Sequence, residues 1–237
     1  MTKCFATDGG TKNGKYYFYF SNFNIDTGVA VSDNPGGPYV DIGKPIVPKN
    51  TKGNRQKKYD PTIFTDDDGK NYIIWGQTGW NNNFYQIAEL NDDMISLKKA
   101  PRDLKMANNT KIRRDASYLH KHNGTYYISS HHGQYATSKN IFGPYNYRGE
   151  VEADGDHGTY FTWNNQTYYV AGAWQKPYFR YTYFTYAHYK KNGEIVAKRP
   201  LKGNYEIGVG RYDVDLGIIE AECYFAASND LKKEENS

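Results

Sequence analysis

The chain has 237 residues, 30 of them basic and 26 acidic, with a formal net charge of +4. That length suits one well-buried domain. The near-balance of scattered charge gives no basic stripe for nucleic acid, and no apolar run approaches the roughly 20 residues a membrane span needs. Tyr (24), Gly (23) and Phe (11) dominate and Met is rare (3), a composition that favours strands and turns over helices. Two cysteines, Cys4 and Cys223, exclude a disulfide framework but leave one end-to-end bridge open.

One phrase recurs along the chain. It reads KNGKYYFYF from Lys12, DDGKNYIIWG from Asp67, HNGTYYISS from His122 and WNNQTYYVAG from Trp163. Each copy is a turn signal followed by an aromatic and β-branched run, which predicts a β-hairpin. Tyr17, Tyr72, Tyr127 and Tyr169 mark the copies at spacings of 55, 55 and 42 residues. A short strand precedes each hairpin: Ala6–Asp8, Tyr59–Phe64, Arg114–Leu119 and Asp156–Phe161. Third strands follow in TGVAVS, FYQIAEL, GQYATS and FTYAHY, and the first and third of these run into the matching turns SDNPGGPY and SKNIFGPY. A repeat of about this length suits four-stranded propeller blades. The expectation is an all-β propeller over residues 1–228 with four countable blades, and a charged tail over 229–237.

First strands of propeller blades converge at one mouth, so polar residues at their starts become candidate ligand contacts. Asp60 and Asp115 are read as equivalent starts of the second and third blades, with Asp8 and His157 near the same place in the first and fourth. The structural alternative is that strand-start carboxylates bond to turn amides. Trp75, Trp80, Phe84 and Trp174 lie in or after hairpins, where a sugar ring could find an aromatic platform, although packing is the commoner use of such side chains. The pair His131-His132 looks like a metal motif, yet neighbours on a strand face opposite ways, so loop polarity is preferred. The run Asp66-Asp67-Asp68-Gly69 lacks the alternation of a calcium loop and is read as a hairpin turn.

The phrases YDPTIFTDDDGKNYIIWG, SDNPGGPY, RDASYLHKHNGTYY, FGPYNYRG and HGTYFTWNNQTYYV, with FTYAHYKKNGEI and the closing IEAECYFAAS, resemble glycoside hydrolase family 43. The resemblance covers nearly the whole chain. It implies a five-bladed propeller and an inverting arabinofuranosidase, β-xylosidase or arabinanase acting on arabinose- or xylose-containing saccharides of the hemicellulose kind. No cofactor is required in this reading; a structural Ca²⁺ in the central channel is compatible with it, near His157 of DHGTYF. Asp60 matches the carboxylate that orients and tunes the acid, and Asp115 falls where the acid Glu stands. Arg180 of YFRYTYF resembles an Arg that reaches toward the substrate, and Phe5 replaces the Trp of a substrate-side phrase that continues to Asp8.

Two departures accompany the resemblance. The family's chain normally begins a blade earlier, so the strand carrying the catalytic base is expected to be missing. Asp in place of Glu at residue 115 also retracts the carboxyl by about 1.5 Å. The competing expectation is therefore a propeller that binds carbohydrate without cleaving it. An incomplete ring would leave strand edges open, from which a homo-oligomer is expected.

Overall fold

The computed structural model describes residues 4–22, 26–48, 50–54, 60–76, 85–109, 112, 116–153, 155–176, 179–197, 212–213 and 218–219. For Phe5, Asn109, Asp156, residues 173–176, residues 179–181 and the last two pairs, this description is of the backbone alone.

Four four-stranded antiparallel sheets follow one another, each a meander in sequence order. The first blade comprises β1 (Cys4–Lys12), β2 (Lys15–Asn22), β3 (Asp26–Ser32) and β4 (Val40–Asp41). The second comprises β5 (Thr62–Thr65), β6 (Asn71–Trp75), β7 (Gln86–Glu89) and β8 (Arg102–Asp103). The third comprises β9 (Tyr118–His122), β10 (Thr125–Ser129), β11 (Gln134–Ser138) and β12 (Asn146–Glu150). The fourth comprises β13 (Asp156–Trp163), β14 (Gln166–Lys176), β15 (Phe179–Tyr189) and β16 (Ile195–Ala197). A short ladder, β17 (Tyr212–Asp213) with β18 (Ile218–Ile219), completes the described strands. This is the all-β propeller architecture read from the repeat. The chain divides into two compact units, Met1–Glu150 with Gly155–Gly158, and Val151–Asp154 with Thr159–Ser237.

Turn chemistry fixes the hairpins. Asn13-Gly14, Asn123-Gly124 and Asn164-Asn165 all have positive φ at both positions, the requirement of a two-residue turn whose twist matches its strands. The second blade has a wider loop closed by the Asp66 amide on the Lys70 carbonyl (2.9 Å). Its acidic run is used locally, since Asp66 accepts from the Asp67 amide (2.8 Å) and Asp68 from the Lys70 amide (3.1 Å). Across to the third blade, Asp66 also accepts from Lys121 Nζ and the Tyr126 hydroxyl, each at 2.6 Å.

The matching turns repeat bond for bond. Ser32 Oγ and Ser138 Oγ each accept the amide two residues on (3.0 Å), Gly37 and Gly143 donate back to the Asn34 and Asn140 carbonyls (2.9 and 2.8 Å), and the hydroxyls of Tyr39 and Tyr145 reach the carbonyls of Pro35 and Ile141 (3.0 and 2.8 Å). Both turns carry a cis Gly-Pro bond.

The core of the first unit lies between blades. Ile73 and Trp75 of β6 pack with Tyr17, Tyr19 and Val29 of the first blade, while Tyr72 and Ile74 pack with Leu119, Tyr126 and Ile128 of the third. Strand β6 is thus buried on both faces, which is why it reads as a continuous apolar run rather than an alternation. In the fourth blade, Tyr160, Tyr169 and Tyr183 are buried, whereas Phe161, Trp163 and Phe184 are exposed.

Candidate active site

The heads of the four first strands share one backbone feature. Ala6, Asp60, Ala116 and His157 all take positive φ (39°, 47°, 58° and 53°). Each stands six residues ahead of the residue that closes its hairpin turn: Lys12, Asp66, His122 and Trp163. A left-handed non-glycine residue costs on the order of 1–3 kcal/mol and persists where its surroundings over-determine it. The residue equivalent to Asp60 in the third blade is therefore Ala116. Asp115 lies one position earlier, a correction to the equivalence read from the sequence, and it falls outside the described residues.

Asp60 is 8 % exposed. Its amide donates to Ser21 Oγ of β2 at 2.8 Å, and its Oδ2 accepts the Ala116 amide at 3.0 Å. The left-handed residues of the second and third blades are thus each capped at their amide by a side chain of the preceding blade. The carboxylate of Asp60 holds the peptide unit that directly follows Asp115. Just downstream, Asp8 Oδ2 accepts the Ile63 amide (2.7 Å) and the Thr62 hydroxyl (2.8 Å), and Asp8 Oδ1 accepts the Gly9 amide (2.8 Å). Burial pushes the Asp8 carboxyl above its ordinary range, against the pull of those three donors.

The remaining candidates separate. Trp75 is fully buried, with its indole N–H on Asn54 Oδ1 at 3.2 Å, so its ring is a core element and not a sugar platform, a correction that follows from the two-sided burial of β6. Trp80 and Phe84 lie outside the described residues. Trp174 and Arg180 are direct partners in the β14–β15 register, and Phe5 stands opposite Ser21 in the β1–β2 register. His157 is half-buried at the head of β13. Among the described residues no three His, Cys, Asp or Glu side chains come together as a metal site would need. His131 and His132 sit on a single 3₁₀ turn rather than on a strand, with ring centroids 4.3 Å apart. The Cys4 thiol is free and exposed, and Cys223 lies outside the described residues. Ser21 and the clamp made by Asp8 were not found by motif; the constant six-residue offset from each turn was the signal in the sequence that locates the strand heads they serve.

The model of Glycosyl hydrolases family 43 matches residues 1–199. A xylosidase/arabinosidase of Bacteroides ovatus is 33% identical over 181 residues, which cover 59% of this chain and 54% of that protein. An arabinoxylan arabinofuranohydrolase of Bacillus subtilis is 32% identical over 163 residues, covering 57% of this chain and 31% of that protein. The chain thus spans about half, or less, of the length of these relatives. Among solved structures, an α-L-arabinofuranosidase from Clostridium thermocellum superposes with a TM-score of 0.69 at 26% identity, covering 83% of this chain and 72% of that one. A β-xylosidase/α-arabinofuranosidase from a compost metagenome, solved with xylotriose, gives 0.68 at 28% identity, covering 81% and 72%.

Proposed function

The chain belongs to glycosyl hydrolases family 43, and on that premise we propose that it hydrolyses arabinose- or xylose-containing oligo- and polysaccharides with inversion at the anomeric carbon. The observation that carries the proposal is the bond from the Ala116 amide to the Asp60 carboxylate, which ties a buried, left-handed Asp to the residue next to Asp115. In this reading Asp115 is the general acid. It gives its proton to the glycosidic oxygen as the bond from that oxygen to the anomeric carbon breaks. Water attacks the anomeric carbon from the opposite face and loses its proton to a base, for which this reading names no residue of the chain; inverting pairs stand roughly 6.5–9.5 Å apart to admit that water. The negative charge of Asp60 keeps the neighbouring acid protonated, because two carboxylates in one site resist ionising together. Arg180 and Phe5, by the resemblance, and Trp174, by its place in a hairpin, are the candidates for contact with the sugar.

The test is an NMR time course with arabinan, arabinoxylan and xylan oligosaccharides. Product whose first-formed anomer is inverted is the expected result. Retention of configuration would overturn the inverting mechanism, and saturable binding with no product would replace the hydrolase by a carbohydrate-binding propeller.

A further inference from the structure

We propose that Ser21 and Asp8, both of the first blade, are positioning residues for Asp60; the inference rests on the reading of Asp60 as the group that tunes an acid at Asp115. The segment Asp60–Ile63 is held at both ends by the first blade. At its start the Asp60 amide is capped by Ser21 Oγ, whose side chain is wholly buried. At its end the Asp8 carboxylate takes the Thr62 hydroxyl and the Ile63 amide. Between the two clamps stands Pro61, whose ring fixes φ and which has no amide to satisfy.

This arrangement explains how Asp60 keeps a backbone conformation that Asp adopts at a cost. Water cannot supply the Ser21 bond in a site this buried, so loss of the hydroxyl leaves the Asp60 amide uncapped and frees the strand head to relax toward extended geometry. The carboxylate launched from that head then leaves the Ala116 amide, since a displacement near 1 Å is enough to break a 3.0 Å bond. Asp8 acts on the same segment from the other end. Burial makes the Asp8 charge costly, and the three donors it engages offset part of that cost.

The experiment compares the full chain with S21A, S21T and D8N, by amide hydrogen exchange and by steady-state kinetics. In S21A the Ala116 amide should exchange about tenfold faster relative to the Ile128 amide of β10, kcat should fall about tenfold with KM nearly unchanged, and the alkaline limb of the pH–rate profile should move to lower pH. S21T, which restores a hydroxyl acceptor, should recover most of each effect. D8N, which keeps size and one acceptor oxygen, should show the same selective change at smaller amplitude. Equal acceleration of Ala116 and Ile128 in both S21A and D8N, or an Ala116 amide that stays protected in both, would overturn the proposal. Should the wild-type chain turn over no sugar, the hydrolase reading fails alone, and the ratio of the two exchange rates still decides the positioning.

Discussion

Replacing Asp60 by Asn separates its two roles, because the amide keeps the shape and one acceptor oxygen while removing the charge. The Ala116 bond at 3.0 Å changes from charge-assisted to neutral, a loss of about 1 kcal/mol. For a chain of this size that lowers the melting temperature by roughly 2–4 °C. The chemical effect is larger. Two carboxylates that share one site resist ionising together, so in the proposed function the Asp60 charge raises the pKa of the acid. Without that repulsion the acid ionises at lower pH, and at neutral pH most of its contribution, on the order of 10²-fold or more, is lost. The assay is kcat on a xylo- or arabino-oligosaccharide beside kcat on an aryl glycoside whose leaving group departs without protonation. A defect of about 10²-fold on the oligosaccharide and of only a few-fold on the aryl glycoside is expected. Equal defects on both substrates, or an unchanged oligosaccharide rate, would show that Asp60 does not act through an acid.

Three further outcomes are expected. Asp115→Glu extends the carboxyl by about 1.5 Å toward the length usual at this motif, and kcat on oligosaccharides should rise, by up to about 100-fold, with little change in KM. His120 is buried between Tyr118 and Tyr127, and that burial, with a lesser push from His122, lowers its pKa to about 3. A histidine depressed in the fold contributes stability that is present above its unfolded value of 6.5 and lost as pH falls through and below it; the unfolding free energy from urea titrations should therefore drop between pH 7 and 5, by about 1.4 kcal/mol per unit once below 6.5, and His120→Phe should flatten that slope. Gly143 has φ +82°, and a Cβ there would overlap the Lys105 carbonyl, so Gly143→Ala should cost about 1–3 kcal/mol by calorimetry or denaturant titration.

What the sequence made legible was the part of the fold governed by neighbours along the chain. Asn-Gly and Asn-Asn turns, alternating runs and the twin Gly-Pro turns each specify their geometry within a few residues, and the four meanders follow from them. Errors arose where a count of residues stood in for a register. Tyr169 shares the burial of Tyr17 and Tyr127, yet counted from the turn the residue equivalent to them is Tyr168. Trp75 ends a hairpin strand, which is why the sequence offers it to a sugar; packing against the first blade takes it into the core, in keeping with the continuous apolar run of NYIIW.

The same distinction explains the candidate site. Asp60 and Asp115 were found through their phrases, but their relation was misread by one residue, because aligning the letter Asp in YDPTIF with the letter Asp in RDASYL ignores which of them turns left-handed. The left-handed positions are Asp60 and Ala116, and the bond between them joins residues 56 apart, while the Ser21 cap on Asp60 joins residues 39 apart. Such bonds depend on one blade meeting the next, a relation that turn chemistry does not encode. A repeat fixes what each blade is; the carboxylate at Asp60, where the other strand heads carry Ala6, Ala116 and His157, marks where the chain departs from its own pattern. The carboxylate at Asp60 makes one bond, to the Ala116 amide, that alanine at the equivalent places cannot make, and the proposed function adds to that bond a charge that tunes an acid at Asp115.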